Sequence, residues 1–199
     1  MSTPTDDLRE RTRRAVRSEL VTVAMDLFLT QGFEETTVEQ IASAAGMSRR
    51  SYFRYFSSKD DVFAEGLAAI GRDIAMALAT LPSTGSPWDD LRNAFNPLLS
   101  EIESDARTMA MSHMMLQNPA LQSSHVHKQT SWIAAMADVL EPRLDGGFAR
   151  MKAEGLARAA ISCLTTAQAW WVMPENERSL DDLLDITMAS VHPFDGAVR

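Results

Sequence analysis

Residues 37–62 have the spacing of two short helices separated by a tight turn, and this spacing constrains the fold more than any other feature of the chain. Thr37 and Gln40 form the pattern of a capping box, which predicts where the first helix starts. Gly46 tolerates the left-handed backbone that commonly ends a helix. The apolar residues between them recur at intervals of three and four, which is one helical stripe that has to pack against another element: Val38, Ile41, Ala42 and Ala45.

The second predicted helix begins after Ser48, whose hydroxyl can cap it. Side chains that donate hydrogen bonds are concentrated in this helix and just beyond it: Ser48, Arg49, Arg50, Ser51, Tyr52, Arg54 and Tyr55. Such donors suit phosphate oxygens and guanine edges, and the second helix of a helix-turn-helix pair enters the major groove of DNA. The pattern indicates DNA binding, and a helical hairpin of a protein without nucleic-acid affinity is the alternative that the pattern alone leaves open.

Several motifs around this hairpin resemble the amino-terminal domain of the TetR family of transcriptional regulators. They lie between roughly residues 15 and 65: Phe28, Gly32-Phe33, Thr36-Thr37-Val38, Ile41-Ala42, Ala45-Gly46-Met47-Ser48, Phe53-Arg54-Tyr55-Phe56 and Ser58-Lys59-Asp60. The chain departs from the family at Phe53, where tyrosine is common, and at Arg50, where glycine or proline is frequent. Because Phe53 lacks a hydroxyl for a phosphate, Tyr52 or the guanidinium of Arg50 could supply that contact instead.

The resemblance implies an all-α fold in two parts. Residues 1–57 are expected to form a three-helix helix-turn-helix DNA-binding domain with a flexible basic N-terminal arm. Residues 58–199 are expected to form a helical effector-binding and dimerisation domain, which a connecting helix from about Lys59 joins to the first. Besides Ser48, the expected DNA contacts are to phosphates from Thr37, Ser51 and Lys59, to the backbone or thymine methyl groups from Tyr52 and Tyr55, and to base edges from Arg49 and Arg50.

The distribution of charge permits DNA binding although the net charge is -8. Residues 1–60 hold nine Lys and Arg against nine Asp and Glu, whereas residues 61–199 hold ten against eighteen, so the net acidity lies outside the predicted DNA-binding domain. A local basic surface is sufficient to bind phosphates. The leading arginines are expected to form a phosphate-facing arm or, alternatively, a solvated helix end with acidic neighbours: Arg9, Arg11, Arg13, Arg14 and Arg17.

Length and composition exclude several other classes of protein. The chain has 199 residues with 45% hydrophobic content, which is enough to bury a core. It contains no apolar run near 18 residues and no signal-like N-terminus, so neither a membrane span nor secretion is expected. With Cys163 as its one cysteine it forms no internal disulfide, which favours a reducing cytoplasm. Cys163 lies in an apolar helical run, where a small buried side chain is expected.

Helical periodicity continues through the rest of the chain. Residues 81–87 are rich in proline, glycine and serine and predict a loop. Asn118 followed by Pro119 predicts a helix start, as does Ser179 with Asp182. The predicted helices are approximately 11–30, 59–79, 87–103, 105–117, 119–141, 148–173 and 179–191.

The last two predicted helices carry the expected dimer interface. The family resemblance implies that they pair with their copies in a second subunit to form a four-helix bundle. Trp170 and Trp171 fit an interface, since tryptophan is enriched there, but they also fit an intrachain core. Adjacent helical residues point about 100° apart, so both are not expected to serve one surface.

A pocket for an apolar small-molecule effector is predicted in the second half of the chain, because methionine is abundant there and adapts to varied apolar shapes. Core filling explains the same residues equally well. The candidate pocket residues are Phe95, Leu99, Ile102, Met111, Met115, Trp132 and Met136. Polar side chains that could orient a ligand are Asn96, His113, Gln117, Gln129 and Gln168.

Neither a metal site nor an active site is expected. His125 and His127 are two positions apart, which places them on different sides of a helix, and no cysteine or carboxylate pair completes a ligand set with His113. The sequence has no glycine-rich phosphate loop and no nucleophile motif, so no catalytic residue and no cofactor are expected. We therefore predict a homodimeric, ligand-responsive transcriptional repressor that binds a palindromic operator. A helical small-molecule-binding protein without operator activity is the alternative, ahead of an enzyme.

Overall fold

A computed structural model describes residues 4–104 and 106–192, and over these residues the chain is helical without any strand, which confirms the predicted all-α class. Within these ranges, the side chains that are not described are those of residues 4–7, 103, 104, 106–108, 111, 112, 117, 119, 120 and 122–128.

The chain divides into two compact units, Met1–Leu67 and Ala68–Arg199. The fourth helix, α4, spans Lys59–Thr80 and therefore carries the chain from one unit into the other. The predicted boundary between residues 57 and 58 lies at the start of α4, whereas the division lies within it. The first part of α4 belongs to the first unit because Val62 and Phe63 are buried there.

The first unit contains α1 (Pro4–Gln31), α2 (Val38–Ala44), α3 (Arg49–Tyr52) and the beginning of α4. Helix α1 starts before the predicted residue 11. Its buried stripe includes Leu20, Ala24 and Phe28. The Phe28 ring packs against the rings of Phe33 and Phe63, with centroids 4.8 and 6.2 Å away. This aromatic cluster lies in the core of the unit.

The second unit follows the predicted order of helices. After the end of α4 it contains α5 (Pro87–Ala94), α6 (Asn96–Ser104), α7 (Ala106–Gln117), α8 (Pro119–Leu140), a 3-10 turn (Glu141–Arg143), α9 (Ala149–Trp171) and α10 (Leu180–Val191). Asn118 accepts a hydrogen bond from the backbone of Leu121 at 3.4 Å, and Ser179 accepts one from Asp182 at 3.0 Å. Both predicted caps are therefore confirmed.

One predicted helix, 87–103, is wrong, because the structure has two helices there with a break at Phe95. Pro97 explains the break. It has no backbone N–H to donate to the carbonyl of Asn93, and its ring would collide with that carbonyl in a continuous helix. Phe95, at the break, and Leu99 of α6 are both buried.

A buried arginine joins α5 to α10. The Arg92 side chain is only 3% exposed, and it donates to the carboxylates of Asp181 and Asp185 and, at 2.7 Å, to the amide oxygen of Asn96. A buried charge is tolerated only when it is paired in this way. These contacts fix α10 on α5.

Asp90 organises the loop between α4 and α5. Its carboxylate accepts hydrogen bonds from Ser83 at 2.8 Å and from the backbone of Thr84 at 2.7 Å, and it pairs with Arg143 at 3.2 Å. Burial alone would raise the pKa of Asp90, but these hydrogen bonds outweigh it and lower the pKa below its ordinary value. Arg143 also donates to the carbonyl of Leu78 at 2.7 Å, which satisfies the end of α4.

No helix among the described residues combines the length and the apolar character that crossing a membrane requires.

Candidate nucleic-acid interface

The helix pair, α2 and α3, is built by the local signals that the sequence contains. Thr37 Oγ1 accepts from the Gln40 backbone at 3.2 Å, and Gln40 Oε1 accepts from the Thr37 backbone at 2.8 Å, which closes the capping box. Gly46 adopts φ = 66° in the turn. Ser48 Oγ then accepts from the Ser51 backbone at 3.2 Å and caps α3. Each predicted cap of the helix pair is confirmed.

The helix pair is held against the rest of the unit by apolar side chains. Ile41 and Ala42 of α2 are buried, as the predicted stripe requires. Phe56, which follows α3, is also buried. Val38 and Ala45 lie at the margin and are half-buried. Most polar side chains of the pair therefore point away from the core.

Six of the predicted DNA contacts lie at the surface. The side chains of Thr37, Ser48, Arg49 and Arg50 are exposed, and those of Ser51 and Tyr55 are half-exposed. The Ser48 and Ser51 hydroxyls lie 3.0 Å from each other. Arg54, directly after α3, is exposed as well. This surface offers hydroxyl and guanidinium donors together, and that combination suits both phosphates and base edges.

Tyr52 requires a correction. Its side chain is completely buried, and its hydroxyl donates to the backbone carbonyl of Ser58 at 2.9 Å. Burial, followed by the negative charges of Asp61 and Asp60, raises the pKa of Tyr52 well above its ordinary value. A side chain in this position contacts neither phosphate nor a thymine methyl group, so its role is structural. The sequence indicates a surface position because Tyr52 directly follows four polar residues, Ser48 to Ser51.

Lys59 also has partners within the protein. Its Nζ donates to the carbonyls of Phe33 at 2.6 Å and Glu34 at 3.1 Å, and it lies 4.4 Å from the centre of the Phe33 ring. An ammonium group has three N–H donors, so at most one is left for a phosphate in this arrangement. Lys59 fastens the start of α4 to the loop after α1, and its phosphate contact stays a prediction.

Arg17 belongs to the fold rather than to a free basic arm. Its guanidinium donates to the Tyr55 carbonyl at 2.6 Å and to Glu65 Oε2 at 2.8 Å, and it lies 4.2 Å from the centre of the Phe56 ring. It thereby connects α1 to the segment after α3 and to α4. The signal in the sequence was its spacing, because Arg17 lies three residues before Leu20 on the buried side of α1. The other leading arginines are exposed.

The predicted effector pocket lies in the core of the second unit. Phe95, Leu99, Ile102, Met115, Trp132 and Met136 are all buried, and the side chain of Met111 lies outside the described residues. Burial is equally expected of core residues, so the pocket stays a prediction. A separate surface groove of about 60 Å³ is lined by other side chains: Ile70, Asp73, Ile74, Ala94, Pro97, Leu98 and Glu101.

Some of the polar residues near the predicted pocket have contacts within the protein. Gln129 donates to Thr165 Oγ1 at 3.1 Å, and Gln168 is buried on α9. The ring of His113 lies 5.0 Å from that of Trp171. Over the described residues no group of three or more histidine, cysteine and acidic side chains is arranged to hold a metal ion. The side chains of His125 and His127 lie outside the described residues.

Comparison with known proteins identifies both parts of the chain. Residues 20–65 match the family model of bacterial regulatory proteins, tetR family, and residues 85–194 match the model of the MftR C-terminal domain. The second match covers more than half of the chain. The chain belongs to the TetR family of bacterial regulatory proteins.

Two relatives agree with this assignment. The HTH-type transcriptional regulator TcmR of Streptomyces glaucescens is 32% identical over 143 residues, which are 68% of this chain but only 63% of TcmR, less than two thirds of its length. The putative mycofactocin biosynthesis transcriptional regulator MftR of Mycobacterium tuberculosis is 26% identical over 167 residues, 83% of this chain and 84% of MftR. Both are named as regulators, in agreement with the expectation that the chain is not an enzyme.

The fold is also that of solved TetR-family structures. FadR of Thermus thermophilus, a transcriptional repressor solved in complex with lauroyl-CoA, superposes with a TM-score of 0.64 at 22% identity, over 91% of this chain and 96% of FadR. At this identity the likeness concerns the fold alone.

Proposed function

We propose that the protein is a ligand-responsive transcriptional repressor that binds a palindromic operator as a homodimer. The observation that carries the proposal is the exposed donor surface of the helix pair, with Arg49, Arg50 and Arg54 on or directly after α3. Each copy of α3 would enter the major groove of one half-site, and two-fold symmetry of the dimer would be mirrored in the DNA.

The dimer interface is proposed on the exposed face of α9 and α10. This face is formed by Met151, Gly155, Arg158, Ser162, Thr166 and Trp170 of α9 and by Ile186 and Ala189 of α10. Trp170 is 63% exposed and Ile186 is 48% exposed, although large apolar side chains are normally buried. The small residues between them permit two helices to approach closely. A second copy of the same face would cover both side chains and complete a four-helix bundle.

The effector is proposed to be an apolar small molecule bound among Phe95, Met115, Trp132 and their neighbours. Trp132 packs directly on Gly71 of α4, the helix that leads to the DNA-binding unit. A ligand that moves the indole would therefore act on α4. To weaken operator binding a hundredfold, the ligand has to favour the non-binding conformer by about 2.7 kcal/mol.

Operator binding is tested with genomic fragments selected on the full-length protein, followed by fluorescence anisotropy on the selected site. Arg49→Ala and Arg50→Ala are expected to lower affinity for the selected site by about tenfold or more each, since a bidentate contact to guanine is worth about 1–3 kcal/mol. Arg178→Ala, which removes an exposed arginine between α9 and α10, is the matched control and should leave affinity unchanged. Failure to select any fragment would leave a helical small-molecule-binding protein as the better description.

The dimer is tested by light scattering at micromolar concentration. Ile186→Glu places a charge in the proposed interface and should yield monomers. Met76→Glu is the control, because Met76 is an exposed methionine of α4 outside that face. A wild-type monomer, or equal effects of the two substitutions, would contradict the proposed interface.

A further inference from the structure

Arg49 is the one exposed arginine of α3 that contacts both a carboxylate of α2 and an aromatic ring at the end of its own helix, over the part of the chain that the structure describes. Its Nη1 lies 2.9 Å from Glu39 Oε1 of α2. Its guanidinium carbon lies 5.5 Å from the centre of the Phe53 ring. Arg50, its neighbour on α3, has no comparable partner among the described residues.

These contacts contribute little to the stability of the fold. The Arg49 and Glu39 side chains are 64% and 55% exposed, and ion pairs at such exposure are weak because water screens them. An exposed cation–π contact is weak as well. Their effect is instead on the orientation of the Arg49 guanidinium, because an arginine held by a carboxylate and a ring samples fewer conformations than a free one.

Pairing with Glu39 leaves most of the guanidinium available. Arginine has five N–H donors, and the contact with Glu39 engages Nη1 alone. A bidentate contact to guanine O6 and N7 needs two donors. Arg49 can therefore keep Glu39 while it contacts a guanine, and it does not have to lose one partner to gain the other.

The carboxylate of Glu39 has a second effect on DNA. It is an exposed negative charge on the surface that would face the phosphates, so it opposes binding to any DNA sequence alike. The gain in orientation of Arg49 is realised only where a guanine is in position. The two effects together raise the ratio of operator affinity to general DNA affinity.

We propose that Glu39 and Phe53 are specificity-determining residues that position Arg49 for a guanine edge, a role that rests on the proposed operator binding. The departure from tyrosine at Phe53 is then compatible with DNA recognition. Phe53 is 45% exposed and packs edge-on against the buried Tyr52, with centroids 5.6 Å apart, so it is a fixed platform beside Arg49. Its missing hydroxyl is irrelevant to this role.

The test compares Glu39→Gln with Glu35→Gln. Both remove one exposed carboxylate from the first unit, but Glu35 lies in the loop before α2, whereas the carboxylate that pairs with Arg49 is that of Glu39. Affinity is measured for the selected operator, for operators with each guanine replaced, and for unrelated DNA, at two salt concentrations. Glu39→Gln should bind unrelated DNA more tightly and lose about threefold to tenfold in discrimination at the guanine that Arg49→Ala also affects. Glu35→Gln should leave discrimination unchanged.

Phe53 is tested by two substitutions. Phe53→Tyr keeps the ring and should retain discrimination at that guanine, whereas Phe53→Leu should reduce it as Glu39→Gln does. Circular dichroism and thermal unfolding check that each variant is folded, which is expected because the replaced side chains are exposed.

The outcomes separate the inference from the proposed function. If the wild-type protein selects no operator, both fail. If it selects an operator but Glu39→Gln and Glu35→Gln discriminate equally, the positioning role is refuted while operator binding stands. If Arg49→Ala does not change discrimination at any guanine, Arg49 contacts no base edge and the positioning role is refuted as well.

Discussion

Replacement of Gly71 by alanine tests the packing that connects α8 to α4. A Cβ at Gly71 would lie 1.9 Å from Cδ1 of Trp132 and 2.4 Å from both Cγ and Nε1 of the same ring. Carbon atoms in contact are separated by about 3.5–4.0 Å, so the indole would have to retreat by roughly 1.5 Å. Trp132 is 4% exposed, so the side chains that enclose the ring would have to move with it.

The expected effect is a net loss of stability. Overpacking of a filled core typically costs about 1–3 kcal/mol, and three ring atoms in collision place this substitution at the upper end. Alanine is favoured over glycine inside a helix by about 0.8–1.0 kcal/mol, which offsets part of the cost. Gly71→Ala should therefore lower the free energy of unfolding by about 1–2 kcal/mol. For a chain of this size, this loss corresponds to a decrease in Tm of about 2–8 °C.

Gly66→Ala is the matched control on the same helix. A Cβ there would lie 2.4 Å from the terminal methyl carbon of Met25 and 3.3 Å from Val21 Cγ1. The end of a methionine moves at little cost, whereas an indole moves as a rigid body. We expect Gly66→Ala to remain within about 1 kcal/mol of the wild-type protein. Urea and thermal unfolding followed by circular dichroism at 222 nm measure both variants.

Trp132→Leu supplies the decisive comparison, because a smaller side chain leaves space for the new Cβ. Gly71→Ala should destabilise the Trp132→Leu protein less than it destabilises the wild type. The reasoning is refuted if Gly71→Ala is as stable as Gly66→Ala, or if its cost is the same in both backgrounds.

Three further substitutions test particular contacts. Tyr52→Phe removes the hydroxyl that donates to Ser58 and should cost about 0.5–1.5 kcal/mol in unfolding experiments, with no change in the sequence preference for DNA. Arg92→Met leaves the carboxylates of Asp181 and Asp185 without their cation. These carboxylates are 43% and 32% exposed, so water compensates part of the loss, and we expect the free energy of unfolding to fall by about 2–4 kcal/mol. An unchanged free energy of unfolding would contradict this expectation. Asp90→Asn should be less stable than the wild type at pH 7. Because folding lowers the pKa of Asp90, this difference should narrow as the pH falls below about 4, and urea titrations from pH 3 to 7 measure it.

Local signals predicted the helices well, since a cap or a breaker acts within a few residues. Thr37 with Gln40, Gly46 and Ser48 mark the ends of α2 and α3 in the sequence and do so in the structure. The predicted helix 87–103 contains its own breaker at Pro97, where the structure has two helices. The sequence predicts the start of α1 too late, because the first residues of this helix carry no apolar stripe.

The roles of polar side chains were predicted less well, because they depend on which partners the fold brings close to them. Tyr52 and Arg17 both looked like surface donors. The partner of Tyr52 is a backbone carbonyl six residues away, and Arg17 binds a carbonyl 38 residues away and a carboxylate 48 residues away. The residue types around Tyr52 and Arg17 do not show which of these partners each side chain reaches.

By itself, the sequence determined the helical class, the caps of the helix pair and the resemblance that led to the family. These properties depend on residues that are neighbours along the chain. Only the tertiary structure decided which donors remain at the surface, because burial depends on where helices meet. It turned Tyr52 inward, engaged Lys59 and Arg17 within the fold, and placed Glu39 and Phe53 beside Arg49.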